Sequence, residues 1–178
     1  IGRSANDFML FANGLVIPSQ SGPMLFASCM ASFQFDCFSE LAESLHAVRD
    51  GKKPAVGRFW IERTKGAGKD SDLAICLMWL LAFPVRPLYL QVGAADRDQA
   101  AIVQRRMKDL IYHNPWLADC VDLRQYKAFN VNKFVQLDIF AADIAGSHGE
   151  TPDVLVVNEL SHITSKWEFI QNLMDNAD

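Results

Sequence analysis

Residues 62–71 read ERTKGAGKDS, and the fold of the chain turns on what this stretch is. A phosphate-cradling loop has the form G-x-x-x-x-G-K-[ST], in which glycines let the backbone curl and the lysine follows at the mouth of a helix. Gly68 and Lys69 supply the second glycine and the lysine, while Arg63 and Asp70 stand where the first glycine and the hydroxyl residue belong. The core of the pattern fits and its edges depart. Upstream, AVGRFWIE at 55–62 reads as a strand. Downstream, KDSDLAICLMWLLAF reads as a helix that Pro84 stops. Strand, loop and helix in that order are the setting such a loop requires.

Working outward, PLYLQV at 87–92 is a second strand, and the segment after it spaces Asp96 and Gln99 as a helix cap and its third residue, with the helix running to Asn114 and Pro115. FVQLDIFAAD at 134–143 alternates like a strand. DVLVVNE at 153–159 is a continuous apolar run, the form of a strand buried on both faces of a parallel sheet. FQFDCFSELAESLHAV at 33–48 has apolar residues at helical spacing and is ended by RDGKKP. Residues 1–31, broken by Gly14, Pro18, Gly22 and Pro23, form an irregular arm or short elements laid against a core spanning 32–178. Strands alternating with helices predict an α/β fold, with a central, mainly parallel sheet and helices on both faces.

A chain of 178 residues, half of them apolar, buries one proper core. Its net charge of −4, with both signs interspersed, gives no bulk electrostatic attraction for nucleic acid, so any such surface is a local patch or lies outside this chain. Cys29, Cys37, Cys76 and Cys120 form no C-x-x-C pair and read as reduced thiols, with Cys76 in a buried helix. The longest apolar run, AICLMWLLAF at 74–83, is far too short to span a membrane. No charged leader with a cleavage site opens the sequence, so secretion is not expected. Trp60, Trp79 and Trp116 are expected in the core.

In a phosphate loop the backbone N–H groups wrap the phosphates, the helix N-terminus adds partial positive charge, and the lysine reaches the β and γ oxygens. Gly66, Gly68 and Lys69 are equipped for this. Open α/β sheets place ligands at the C-terminal ends of their strands, which would set Asn158 and Glu159 beside the loop. One of that pair can then hold magnesium while the other polarises the attacking water, so Glu159 is the expected general base.

These pieces in this order resemble the N-terminal ATPase domain of the large terminase subunit of tailed bacteriophages, over about Phe33 to His162. Gln34 in FQFDCF matches a family glutamine upstream of the loop that is implicated in adenine recognition. Arg63 to Lys69 loosely matches the R-x-x-G-K form of the family's loop. QVGAADRDQA, NPWL and SHGETPDVLVVNELSH are similar to its alanine-rich D-Q-A segment, its turn, and its G-x-x-P, strand, D-E-x-H segment, with Asn158 in place of aspartate. The resemblance implies ATP and Mg2+ as cofactors, double-stranded DNA as cargo, and a portal protein, a small terminase subunit and further copies of the chain as partners. It places the work in the host cytoplasm at the procapsid portal, with no membrane.

On that reading the backbone of Thr64, Lys65, Gly66, Ala67 and Gly68 holds phosphate with Lys69, Ser71 approaches the α-phosphate, Asp70 and Asn158 manage magnesium, and Glu159 orients water. Arg63 either meets the γ-phosphate or faces a neighbouring carboxylate. Gln34 reads the base or is an ordinary helix amide, and Asp96 with Gln99 belongs to the site or only caps a helix. His162 senses the nucleotide or solvates a helix start. The two departures suggest a compensated exchange, in which the carboxylate has moved from position 158 to position 70 and the charge around the metal is conserved. A degenerate domain that docks without turnover, and a helicase-like ATPase, are the competing readings.

Overall fold

The alternation expected of residues 134–143 is met over Val135–Ala141, where buried and half-buried positions alternate, while residues 90–94 are buried throughout. The computed structural model describes residues 4–19, 21–94, 96–132, 134–141 and 151–159, with isolated positions 171 and 174. After helix α1 (Phe8–Gly14), a two-stranded pair β1 (Val16–Ile17) and β2 (Met24–Leu25), and helices α2 (Ser32–Arg49) and α3 (Lys69–Ala82), strand β3 (Leu88–Ala94) enters the main sheet. Helix α4 (Arg97–His113), the hairpin β4 (Val121–Arg124) and β5 (Lys127–Asn130), β6 (Val135–Ala141) and β7 (Val154–Asn158) complete the described elements. The sheet order is β4-β5-β6-β3-β7, with β3 parallel to both β6 and β7 and the hairpin joined antiparallel at the β6 side. This is an α/β fold with helices flanking a five-stranded sheet whose centre is parallel.

Register decides which side chains meet the helices. Leu90 pairs with Leu137 and Val154, Val92 with Ile139 and Val156, and Ala94 with Ala141 and Asn158, so these residues share one face. Helix α3, apolar almost all round, and the stripe Ala100, Val103, Met107 and Leu110 of α4 pack against each other and on the sheet. Asn158 therefore ends β7 on the same face as α3.

The described residues before α2 contribute directly to the core. Phe8, Phe11 and Leu15 are fully buried, and Phe8 stands edge-on to Phe38 at 5.2 Å and to Trp79 at 5.6 Å. The Phe8 N–H donates to His46 Nε2 at 3.3 Å, Trp79 Nε1 donates to the Ser4 carbonyl at 3.2 Å, and buried Arg49 donates to the Ala5 carbonyl. Asn114 acts as a one-residue strand partner for Val16, accepting its N–H and donating to its carbonyl, both at 2.8 Å.

Three expectations are corrected. Residues 55–62 form no strand: they run irregularly along the surface, leaving Val56, Phe59, Trp60 and Ile61 exposed. A β-prone run becomes a strand only with a ladder partner, and none of the described strands pairs with it. Trp60, expected inside, is accordingly 74 % exposed, whereas Trp79 is fully buried. Strand β7, expected to be buried on both faces, is half-buried over Val154–Val157, because it stands at the end of the strand order among the described residues.

Candidate functional site

The loop at 64–68 owes its shape to two glycines. Gly66 and Gly68 hold φ of 86° and 79°, left-handed values that side chains with a Cβ adopt at a cost, and the Ala67 N–H closes a turn on the Thr64 carbonyl at 3.1 Å. Gly68 sits at the N-cap of α3, so Lys69, Asp70 and Ser71 form its first turn, where backbone N–H groups lack helical acceptors. Thr64, Lys65 and Gly66 are exposed at the mouth. An anion at this end meets free N–H donors and the positive end of the helix dipole.

Facing the loop is the end of β7. Lys69 Nζ contacts Glu159 Oε1 at 2.6 Å, and Asn158 Nδ2 donates to Asp70 Oδ1 at 2.9 Å. Two consecutive residues of the helix start thus meet two consecutive residues of the strand end. Glu159 takes a left-handed φ of 55°, an uncommon conformation for a residue with a side chain. Asn158 is 3 % exposed, so its amide depends on protein partners, and Asp70 is one.

A third carboxylate, which sequence reasoning missed, lies behind the loop. Asp72, 5 % exposed, accepts Gln34 Nε2 at 2.7 Å on one oxygen and the Arg63 guanidinium on the other. Of the two readings of Arg63, the structure has it facing a carboxylate, with its guanidinium 5.1 Å above the Phe33 ring. Burial pushes the Asp72 carboxyl above its ordinary value, a pull that the bonds from Arg63 and Gln34 only partly oppose. Burial likewise raises the nearby Cys37 thiol despite the adjacent Arg63. Gln34 lies in the first turn of α2, where its Oε1 accepts the Ala31 N–H at 3.1 Å. The available signal was an acidic residue in an otherwise apolar helix, three positions past the lysine.

Gln34, Gly68, Ser71 and Asp72 also line a cleft of about 190 Å³, closed on the far side by Phe26 and by Asp109 of α4. Asp96 accepts the Gln99 N–H at 2.9 Å, which is the helix-cap reading of that pair. His162 lies outside the described residues. None of the helices among them is long and apolar enough to cross a membrane.

Asp70 and Asn158 suit a hard cation. Mg2+ takes oxygen ligands and is commonly held by one or two carboxylates plus substrate phosphates and water. Asp70 would supply one carboxylate, with the Asn158 amide that donates to it alongside, and no cluster of three or more His, Cys, Asp or Glu ligands occurs among the described residues.

Compared with protein-family models and with curated protein sequences, the chain has no match. Among solved structures it is similar to the large terminase of bacteriophage HK97, with a TM-score of 0.63 over 92 % of this chain at 19 % identity. The chain spans 35 % of that terminase. At that identity the likeness is one of fold, and the fold is the one that the sequence resemblance implied.

Proposed function

We propose that this chain is an ATPase motor domain of a phage DNA-packaging terminase, binding ATP with Mg2+ at the 64–71 loop and hydrolysing it to move double-stranded DNA into a capsid. The observation that carries the reading is the 2.6 Å contact between Lys69 and Glu159, two residues ninety positions apart. A lysine at the start of a helix and a carboxylate at a strand end are the pair that phosphoryl transfer to water uses, one for phosphate charge and one for the nucleophile. The fold shared with the HK97 large terminase supports the same assignment.

The residues divide the work by position. The N–H groups of residues 64–71 receive the phosphates, and Lys69 turns from Glu159 to the β and γ oxygens as they arrive. With Lys69 turned away, the Glu159 carboxylate orients and deprotonates a water in line with the γ-phosphorus. Asp70 and Asn158 would hold the Mg2+, whose positive charge would offset the negative charge of the phosphates. Ser71 stands nearest the α-phosphate, and Gln34 borders the cleft that takes the nucleoside. The motor would act in the host cytoplasm at a procapsid portal, with a portal ring, a small terminase subunit and further copies of itself.

A second reading, a docking module that binds nucleotide without turnover, is favoured by one observation: Asp70 and Asn158 both depart from the usual hydroxyl and aspartate. Single-turnover hydrolysis of Mg-ATP separates the two. The motor reading expects phosphate release by the chain, none by Glu159→Gln with nucleotide binding kept, and weakened binding with no release by Lys69→Ala. Nucleotide binding without phosphate release, even with DNA and partners added, would establish the docking module instead.

A further inference from the structure

A phosphate loop has to hold its shape before the phosphates arrive, since ordering it on binding would subtract from affinity. In strand-loop-helix sites a paired strand anchors the entry to the loop. Here residues 52–64 have no helix or strand, so the entry needs another anchor.

The Arg63–Asp72 ion pair is in the right place. It joins the residue entering the loop to the first turn of the helix leaving it, nine positions apart, with both side chains at least nine-tenths buried. The Asp72 N–H is itself bonded to the Gly68 carbonyl at 3.0 Å, which fixes the carboxylate relative to the loop's last residue. From the other side Gln34, tied to the Ala31 N–H, donates to the remaining carboxylate oxygen. Gln34 also lies beside the loop, where a Cβ added at Gly68 would come within 3.2 Å of its Nε2. A buried carboxylate whose two oxygens are taken by two different elements is a junction, and loss of either arm leaves buried charge unmatched.

We propose that Asp72 is a positioning residue of the phosphate grip: by receiving Arg63 and Gln34 on its two oxygens, it holds the 63–69 loop in its phosphate-receiving shape. The proposal rests on the reading of that loop as a phosphate site, and it assigns Arg63 to the back of the loop.

The test is calorimetric titration of the chain with Mg-tripolyphosphate and with a non-hydrolysable Mg-ATP analogue, on wild type, Asp72→Asn, Arg63→Met and the double variant, with melting temperatures alongside. Asp72→Asn keeps an acceptor for Gln34 but turns an amide N–H toward Arg63, so affinity for both ligands should fall roughly tenfold or more, the worth of one charge-assisted bond. Arg63→Met should lose a similar factor, and the double variant no more than the worse single, because the two residues act as one unit. A role in bulk stability alone would lower melting without this non-additive pattern in affinity. Should Asp72→Asn not fold, Arg63→Lys must retain more affinity than Arg63→Met, and equal losses overturn the proposal. Additive losses, unchanged affinity, or tighter binding by Asp72→Asn would each overturn it too, the last by showing that Asp72 restrains Arg63 from the phosphates. Failure of wild type to bind either ligand would instead remove the phosphate-site reading and the proposal with it.

Discussion

Exchanging residues 70 and 158 tests the most unusual feature of the site. The Asn158 amide is almost wholly buried and donates to Asp70 at 2.9 Å. Asp70→Ser shortens the acceptor and leaves that amide short of a partner, which costs about 1–3 kcal/mol. A melting temperature roughly 2–10 °C lower follows for a domain of this size. Asn158→Asp sets two carboxylates at the same spacing, a repulsion of roughly 6 kcal/mol at an effective dielectric near 20, relieved when one takes a proton or a divalent cation binds between them. That variant should be the least stable in EDTA and should gain the most from Mg2+. The double variant restores a donor–acceptor pair, hydroxyl to carboxylate, with one negative charge as before. Scanning calorimetry with Mg2+ and with EDTA, and titration with a Mg-ATP analogue, should then find the double variant close to wild type in both readouts. Losses in the double variant equal to the sum of the two single losses would refute the idea that the positions compensate one another.

Other outcomes follow from the packing. Trp79 is fully buried against Phe8 and His46, and Trp79→Ala should cost about 3–5 kcal/mol, seen as a shift in urea midpoint at unchanged slope. Asn114→Ala removes both bonds to the Val16 backbone; proteolytic cutting near β1 should speed up while the sheet's amides keep their exchange protection. Burial, aided by Arg49 and opposed by Asp7 and Asp50, holds His46 below its ordinary value of 6.5, so the native state prefers the neutral ring that accepts the Phe8 N–H. Because the unfolded chain takes up the proton first, this contribution is whole above about pH 6.5 and is lost as pH falls through that value toward the lower native one. Melting curves from pH 7.5 to 5.5 should show the decline, and His46→Gln should flatten it.

Where sequence reading succeeded, one local force settled the outcome. The apolar run of α3, the stripe of α4 and the alternation of β6 each declare their element, and the order of loop and apolar strand is enough to set Lys69 beside Glu159. Where it failed, the deciding partner was distant. AVGRFWIE has strand composition, but composition cannot report whether a ladder partner is in reach. The β4–β5 hairpin was missed because its turn puts Tyr126 at a φ of 60°, without the Asn-Gly or Asp-Gly pair that marks such turns. Asp72 looked like one more acidic residue at a helix start, and only the approach of Arg63 and of Gln34, nine and thirty-eight positions earlier, gives it a role.

On the motor reading the loop at 64–71 binds a nucleoside triphosphate through Lys69 and a metal held by Asp70. The most direct measurement is calorimetric titration of the chain with a non-hydrolysable ATP analogue, with Mg2+ and then with EDTA, repeated on Lys69→Ala. Removing the Lys69 ammonium takes away at least one charge-assisted bond to phosphate, about 1.5–3 kcal/mol or roughly a 10- to 150-fold loss of affinity. The account predicts saturable binding with Mg2+, little in EDTA, and that loss or more in Lys69→Ala at nearly unchanged melting temperature. Binding of equal strength in EDTA, or undiminished in Lys69→Ala, would contradict it.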